Sequence, residues 1–135
     1  MVVVGAILSS PARPAGVLKG TYRVTLAARD LRAIGASSED TGHDVGTWTL
    51  VLAGGRWTLR QTHGLYGNGY VGGVFAVEGS RAAFTLTSSD GYPHGEFVGT
   101  FRWRTSAGVL RFATVDRPLT DLLALFTARP WKRLR

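Results

Sequence analysis

The sequence predicts an all-β protein, an eight-stranded up-and-down antiparallel barrel with one or two short helices in its long loops. Two observations predict this fold. Apolar and polar residues alternate in about eight short runs, the period of strands with one buried face, and glycine-rich turns separate the runs. A flat sheet of this length would expose two edges, which closure into a barrel removes.

The clearest element is a β-hairpin over residues 46–61. Its apolar residues alternate with threonine and arginine on both sides of Gly54-Gly55, a pair that can adopt the positive φ of a tight turn. These apolar residues are Trp48, Leu50, Leu52, Trp57 and Leu59. The hairpin is therefore expected to turn an aromatic and aliphatic face toward the barrel interior.

The same reasoning assigns the other elements in chain order. Strands are expected over residues 20–26, 69–77, 81–87, 97–104 and 109–115, with a closing strand within 126–134. A short helix is expected over 29–34, an acidic loop over 37–44 and a helical turn over 118–125. The pair Gly72-Gly73 predicts a bend or bulge inside its strand.

The length of 135 residues suits one domain. Residues 18–135 are assigned to the barrel, and residues 1–17 form an apolar, proline-containing segment that could be a tail, a linker or the remnant of an export signal. Its apolar run is too short to span a bilayer, and the cellular compartment stays open. Cysteine is absent, which excludes disulfides, thiolate metal sites and a cysteine nucleophile.

The formal net charge is +7, mostly from arginine. Such a balance is compatible with nucleic acid, anionic lipid or acidic ligands. However, the strand arginines mostly occupy outward positions, and the others lie near the termini without forming a clustered stripe. The distribution favours a solubilising surface, so no nucleic-acid partner is predicted.

The longer connections all fall at one end of the predicted barrel, because a meander places successive connections at alternate ends. They span residues 27–45, 63–68, 88–95 and 116–125. Loops at barrel mouths are common ligand sites, so this end is the predicted entrance. The three histidines, His43, His63 and His94, also map there, but their spacing matches no short metal-binding pattern, so neither metal nor cofactor is predicted.

The predicted ligand-contacting residues lie on the inward faces of the strands. They are Tyr22, Trp48, Trp57, Gln61, His63, Phe84, Phe97, Phe101, Trp103 and Phe112. Their aromatic members could form a packed core or line a pocket for a flat, hydrophobic ligand. Gln61 and His63 could pair with loop backbone or with Tyr22, or they could hydrogen-bond a ligand. His63 is also the candidate catalytic residue, as an acid-base partner of a loop carboxylate from Asp90, Glu96, Asp116 or Asp121.

One short motif resembles a known family. Gly46-Thr47-Trp48 is similar to the Gly-x-Trp of lipocalin and calycin-type barrels, in which a basic residue near the chain end packs over the tryptophan. Arg129, Lys132 or Arg133 could supply that cation. Gly20-Thr21-Tyr22 is a variant of the motif, and if it is the counterpart, Trp131 and Arg133 would lie beside it. The resemblance covers roughly residues 20–134 and implies a barrel that binds a small hydrophobic molecule.

The leading hypothesis is therefore a barrel that binds a small hydrophobic ligand and is entered at the long-loop end. A barrel enzyme using His63, such as a cyclase, isomerase or hydro-lyase, is one alternative. An accessory domain of a larger exported protein is another. The fold alone does not distinguish them.

Overall fold

In a computed structural model, which describes residues 17–63, 70–89, 97–116 and 125–135, eight antiparallel strands form a closed barrel. Each strand pairs with the next along the chain, and the last pairs with the first. The strands are β1 (Gly20–Leu26), β2 (Gly46–Ala53), β3 (Arg56–Thr62), β4 (Tyr70–Glu78), β5 (Arg81–Ser89), β6 (Phe97–Ser106), β7 (Val109–Asp116) and β8 (Trp131–Arg133). The predicted fold class is confirmed.

A short helix, α1 (Ala28–Ala33), follows β1 where the sequence predicts one. Asp30 Oδ2 accepts a hydrogen bond from the Ala27 backbone N–H at 2.8 Å, which satisfies a free donor at the helix start. The chain leaves the helix through Gly35, whose φ of 87° suits glycine.

The acidic segment after α1 is also helical, so its prediction as a loop is wrong. It forms α2 (Ser38–Asp44). Ser37 is the N-cap, and its Oγ accepts from the Asp40 backbone N–H at 3.0 Å. The acidic residues in the first turn interact favourably with the positive, N-terminal end of the helix dipole and stabilise the helix there. The sequence signal for this helix is thus its cap and first-turn charge, since it has no apolar stripe.

The bulge predicted at the glycine pair of β4 is confirmed. The pairing between β4 and β5 shifts register between Gly72 and Gly73. A Cβ on Gly73 would overlap the carbonyl oxygen of Thr85 and lie 2.9 Å from Nε1 of Trp57. Only glycine therefore lets β4 approach β5 and Trp57 this closely.

The inward face of β6 differs at its start from the predicted one. Phe97, expected inside, is half-buried, whereas its neighbour Val98 is 0% exposed. The pairing of β5 with β6 shifts between Phe84 and Thr85, which changes the phase of the alternation. Phe101 is buried as expected, and Trp103 is half-buried.

The closing strand is much shorter than the predicted one. Residues 131–133 pair with β7 only at Val109 and Leu110, and with β1 at Tyr22 and Arg23. The described residues before it form a single helical turn at 125–127. The rest of the predicted 118–125 turn, and nearly all of the 1–17 segment, lie outside the described residues. Because β8 pairs with β7 only at Val109 and Leu110, the remainder of β7 has no pairing with β8.

The barrel interior holds the hydrophobic core, which extends to Leu18 before β1 and to Leu31 of α1. Leu31 is 0% exposed, so α1 packs its apolar face against the core. In the part of the chain that the structure describes, no helix has the length and apolar character needed to cross a membrane.

Candidate ligand-binding site

Four of the predicted aromatic residues meet inside the barrel. The ring of Phe84 lies 5.8 Å from Trp57, 5.7 Å from Phe101 and 5.9 Å from Phe112, measured between centroids. All three contacts are edge-to-face, the arrangement that aromatic quadrupoles favour. Trp57, Phe84 and Phe101 are 0% exposed, and Phe112 is 7% exposed. The structure thus brings these predicted site residues together.

A further ring packs among these four, and it is not among the predicted site residues. Phe126, from the helical turn before β8, is 0% exposed. Its centroid lies 5.0 Å from both Phe84 and Phe101, 5.3 Å from Phe112 and 5.8 Å from Trp57. It occupies the space between rings that are predicted from the sequence to surround a ligand. We call the space bounded by Trp57, Phe84, Phe101 and Phe112, which the ring of Phe126 fills, the aromatic compartment.

The sequence does contain a signal for Phe126. Residues 122–126 read Leu-Leu-Ala-Leu-Phe, an apolar run that a surface loop would not be expected to carry. The predicted boundary between a helical turn and a closing strand divides this run and hides it. Leu125 and Phe126, the two residues of this run that the structure describes, are both buried.

Phe126 is held mainly by packing. Its carbonyl oxygen accepts a hydrogen bond from Trp131 Nε1 at 3.1 Å. Nearby, Arg129 Nη1 lies 3.9 Å from Asp30 Oδ1, and its side chain is 50% exposed. An ion pair this long and exposed contributes little to stability. The turn at 125–127 thus enters the barrel without belonging to its strand ladder.

Trp57 is the most firmly held wall of the compartment. Its Nε1 lies 3.1 Å from the carbonyl oxygens of both Val74 and Thr85, a shared donor between two acceptors. These acceptors flank the β4 bulge at Gly73. The indole is therefore fixed by β4 and β5 together.

Tyr22 and Trp48 are buried in the same hydrophobic core, but among the described residues neither ring forms an aromatic pair with the cluster. Tyr22 donates its hydroxyl to the Lys19 carbonyl at 2.9 Å, and Trp48 Nε1 donates to the Asp44 carbonyl at 2.8 Å. The Arg133 guanidinium lies 5.8 Å from the centre of the Tyr22 ring. Of the two Gly-x-aromatic segments, the one on β1 thus carries a cation over its ring.

The two polar site candidates, Gln61 and His63, lie in different environments. Gln61 is 6% exposed, and its Nε2 donates to the carbonyls of His43 at 2.7 Å and Val45 at 2.8 Å. This bonding fixes the end of α2 to β3. His63 is exposed, with a φ of 58°, so its predicted inward orientation is wrong. The backbone enters the left-handed region there and turns the side chain out of the alternation.

The predicted entrance is partly covered. The connection from β1 to β2 places Leu31 in the core. Side-chain hydrogen bonds from Trp48 and Gln61 join this connection to β2 and β3. The other long connections fall mostly outside the described residues, as do His94 and the carboxylates Asp90, Glu96 and Asp121. Among the described residues, no group of three His, Asp or Glu side chains could hold a metal ion.

No protein-family model, curated protein or solved structure matches this chain significantly, so no relative assigns a role to these residues. What the chain shows is a closed antiparallel barrel with a buried aromatic cluster, compatible with ligand binding.

Proposed function

We propose that this protein is a lipocalin-like barrel that binds a small, flat, apolar ligand in the aromatic compartment. The observation that carries the proposal is the origin of Phe126, whose ring fills the compartment but belongs to a segment outside the strand ladder. The other four rings stand on β3, β5, β6 and β7 and form a rigid wall. The cation over Tyr22 is a further point of similarity to lipocalins.

The chemistry of the compartment selects for an apolar guest. Its walls are aromatic, and the Trp57 indole N–H is already bonded to two carbonyls. A polar guest would lose its hydration without gaining partners, at a cost of about 1–3 kcal/mol for each unpaired group. A planar ring can instead take over the contacts that Phe126 makes. Replacement of one ring by another recovers most of the dispersion energy lost when Phe126 moves.

The entry path follows from the short closing strand. β8 pairs with β7 only at Val109 and Leu110, so residues 111–116 have no pairing with β8. The segment around Phe126 lies beside this half of β7, as its contact with Phe112 shows. Outward movement of that segment opens the barrel wall without breaking sheet hydrogen bonds. This opening leads toward the end where the long connections lie, which is the entrance expected from the sequence.

The test is a titration of the purified full chain with an uncharged naphthylamine dye, which fluoresces in apolar surroundings. The variants are Phe126→Ala, which vacates the compartment, and Val51→Ala, which removes the same kind of apolar surface from an exposed position. We expect saturable binding by the wild type, unchanged binding by Val51→Ala and at least several-fold tighter binding by Phe126→Ala. The gain arises because the dye no longer has to displace a buried ring.

The wild type decides the outcome. If it shows no saturable binding while Phe126→Ala binds the dye, the compartment is a packed core that only the truncation opens, and the proposal is wrong. If all three proteins bind equally, the dye lies elsewhere and the proposal is also wrong. If the wild type does bind the dye as expected, native mass spectrometry followed by denaturing extraction would identify the chemical class of any co-purifying apolar compound.

A further inference from the structure

An arginine-rich groove lies on the outside of the barrel, where the segment before β8 passes β7, and it shares Phe112 with the aromatic compartment. It has a volume of about 480 Å³ and is lined by residues of β6, β7 and the segment before β8. Four of its lining residues are arginines, namely Arg102, Arg104, Arg111 and Arg129. We call this surface the arginine groove. All four arginines are exposed, so the groove is open to solvent.

The β6–β7 hairpin assembles three of these arginines. Arg104 lies directly opposite Arg111 in the strand pairing, and Arg102 lies opposite Ala113. The methyl side chain of Ala113 leaves space where a larger residue would fill the groove. Arg129 comes from the segment that passes alongside, just before β8.

Two arginines in direct cross-strand register are unfavourable, because like charges at this spacing repel by up to about 1 kcal/mol. Acidic neighbours would normally relieve the repulsion. Within the described ranges, no carboxylate forms an ion pair with Arg102, Arg104 or Arg111, and Arg129 has only the 3.9 Å contact with Asp30. The groove therefore concentrates positive charge that the described part of the protein leaves largely uncompensated.

We propose that the arginine groove binds a phosphate-bearing ligand, through a phosphate monoester or diphosphate group. Guanidinium groups pair with phosphate oxygens in bidentate fashion, and several together suit a group that carries more than one negative charge. The volume is in the range of small-molecule sites, about 300–1,000 Å³. A nucleic-acid backbone would require an extended basic stripe, whereas these side chains surround one compact depression.

The first experiment is calorimetric titration of the full chain with inorganic pyrophosphate. A second titration with sodium chloride at the same ionic strength serves as the reference. The test variant is Arg104→Gln combined with Arg111→Gln, and the control is Arg56→Gln, an exposed arginine of β3 outside the groove. We expect saturable binding of pyrophosphate by the wild type and an affinity at least tenfold lower in the double variant. The affinity of the Arg56→Gln control should differ from that of the wild type only by the small effect of removing one distant positive charge. Glutamine keeps much of the side-chain length and removes the charge.

The source of the phosphate is settled by a second arm, co-sedimentation with vesicles of phosphatidylcholine, with and without phosphatidic acid. Binding to the acidic vesicles that depends on Arg104 and Arg111 assigns the site to a lipid headgroup, and pyrophosphate binding without vesicle binding assigns it to a soluble phosphate. If pyrophosphate does no more than matched salt, or if Arg56→Gln weakens binding as much as the double variant, the proposal is wrong.

Folding of the variants is checked by circular dichroism. The double variant should be at least as stable as the wild type, because it removes the repulsion between facing arginines. Should it fail to fold, the single variants Arg104→Gln and Arg111→Gln carry the same test, each with a partial loss of affinity expected. The equilibrium affinity for the dye should be unchanged in all of these variants, because Arg104 and Arg111 contribute no ring to the aromatic compartment; this separates the proposal from the proposed function.

Discussion

Replacement of Gly73 by alanine should destabilise the barrel because there is no room for a methyl group at this position. The Cβ would overlap the carbonyl oxygen of Thr85 and approach Trp57 Nε1 to 2.9 Å. The same carbonyl is one of the two acceptors, with that of Val74, that hold the indole at 3.1 Å. Since the obstructing atom belongs to the backbone, β5 itself must move away from β4.

The magnitude follows from two effects. Forcing extra volume into a packed interior costs about 1–3 kcal/mol, and loss of one indole hydrogen bond adds about 1 kcal/mol. The sum, about 2–4 kcal/mol, is a large part of the total stability of a small domain, about 5–15 kcal/mol. The backbone φ of Gly73 is not among the positive values. An alanine without steric conflict would therefore stabilise the protein by about 0.4–1 kcal/mol through the unfolded chain.

The sign of the change is consequently diagnostic. Equilibrium unfolding in urea, followed by tryptophan fluorescence and circular dichroism, measures it. The matched control is Gly79→Ala, at a turn glycine with a φ of 63° and no neighbouring atom within 4 Å of the point that a Cβ would occupy, where only backbone strain of about 1 kcal/mol is expected. A Gly73→Ala protein as stable as the wild type, or more stable, would refute the steric argument.

Three further substitutions test other contacts. Gln61→Leu should cost about 2–3 kcal/mol, because two carbonyls at the end of α2 lose their buried donor; hydrogen exchange should show the largest loss of protection in α2, and a uniform loss would contradict this. His63→Gly should leave stability unchanged or raise it slightly, because the residue is exposed with a φ of 58°; a lower Tm would reveal an unrecognised structural role of the ring. Trp131→Phe should cost about 1 kcal/mol more than Trp103→Phe, since Trp131 Nε1 donates to a carbonyl while Trp103 Nε1 has no partner within the described residues; equal losses on urea unfolding would count against the comparison.

The local pattern of the chain determined the strands, because alternation of side chains across a strand is a property of consecutive residues. The hairpin of β2 and β3 and the bulge at Gly72-Gly73 could be predicted for that reason. The same local inference was wrong where a neighbouring strand changed the phase. Val98 replaces Phe97 on the inner face because the register between β5 and β6 shifts.

The candidate sites depended on contacts between distant parts of the chain. Trp57, Phe84, Phe101 and Phe112 could be assigned to the interior from alternation, but Phe126, the ring packed against all four, could not. Which segment fills a barrel is decided by how its volume fits the space between the strands, and alternation carries no information on that fit.

The arginine groove has the same origin. Arg102, Arg104 and Arg111 could be placed on outer faces from the sequence, and Arg129 near the chain end, where each resembled one of many solubilising charges. Pairing brought Arg104 opposite Arg111, and the return of the chain brought Arg129 alongside. The sequence by itself determined most of the strands and, away from the start of β6 and the end of β3, the direction of their side chains, because both are local properties of the backbone. Only the tertiary structure decided which side chains meet, because that depends on strand register and on how the chain end packs against the closed barrel.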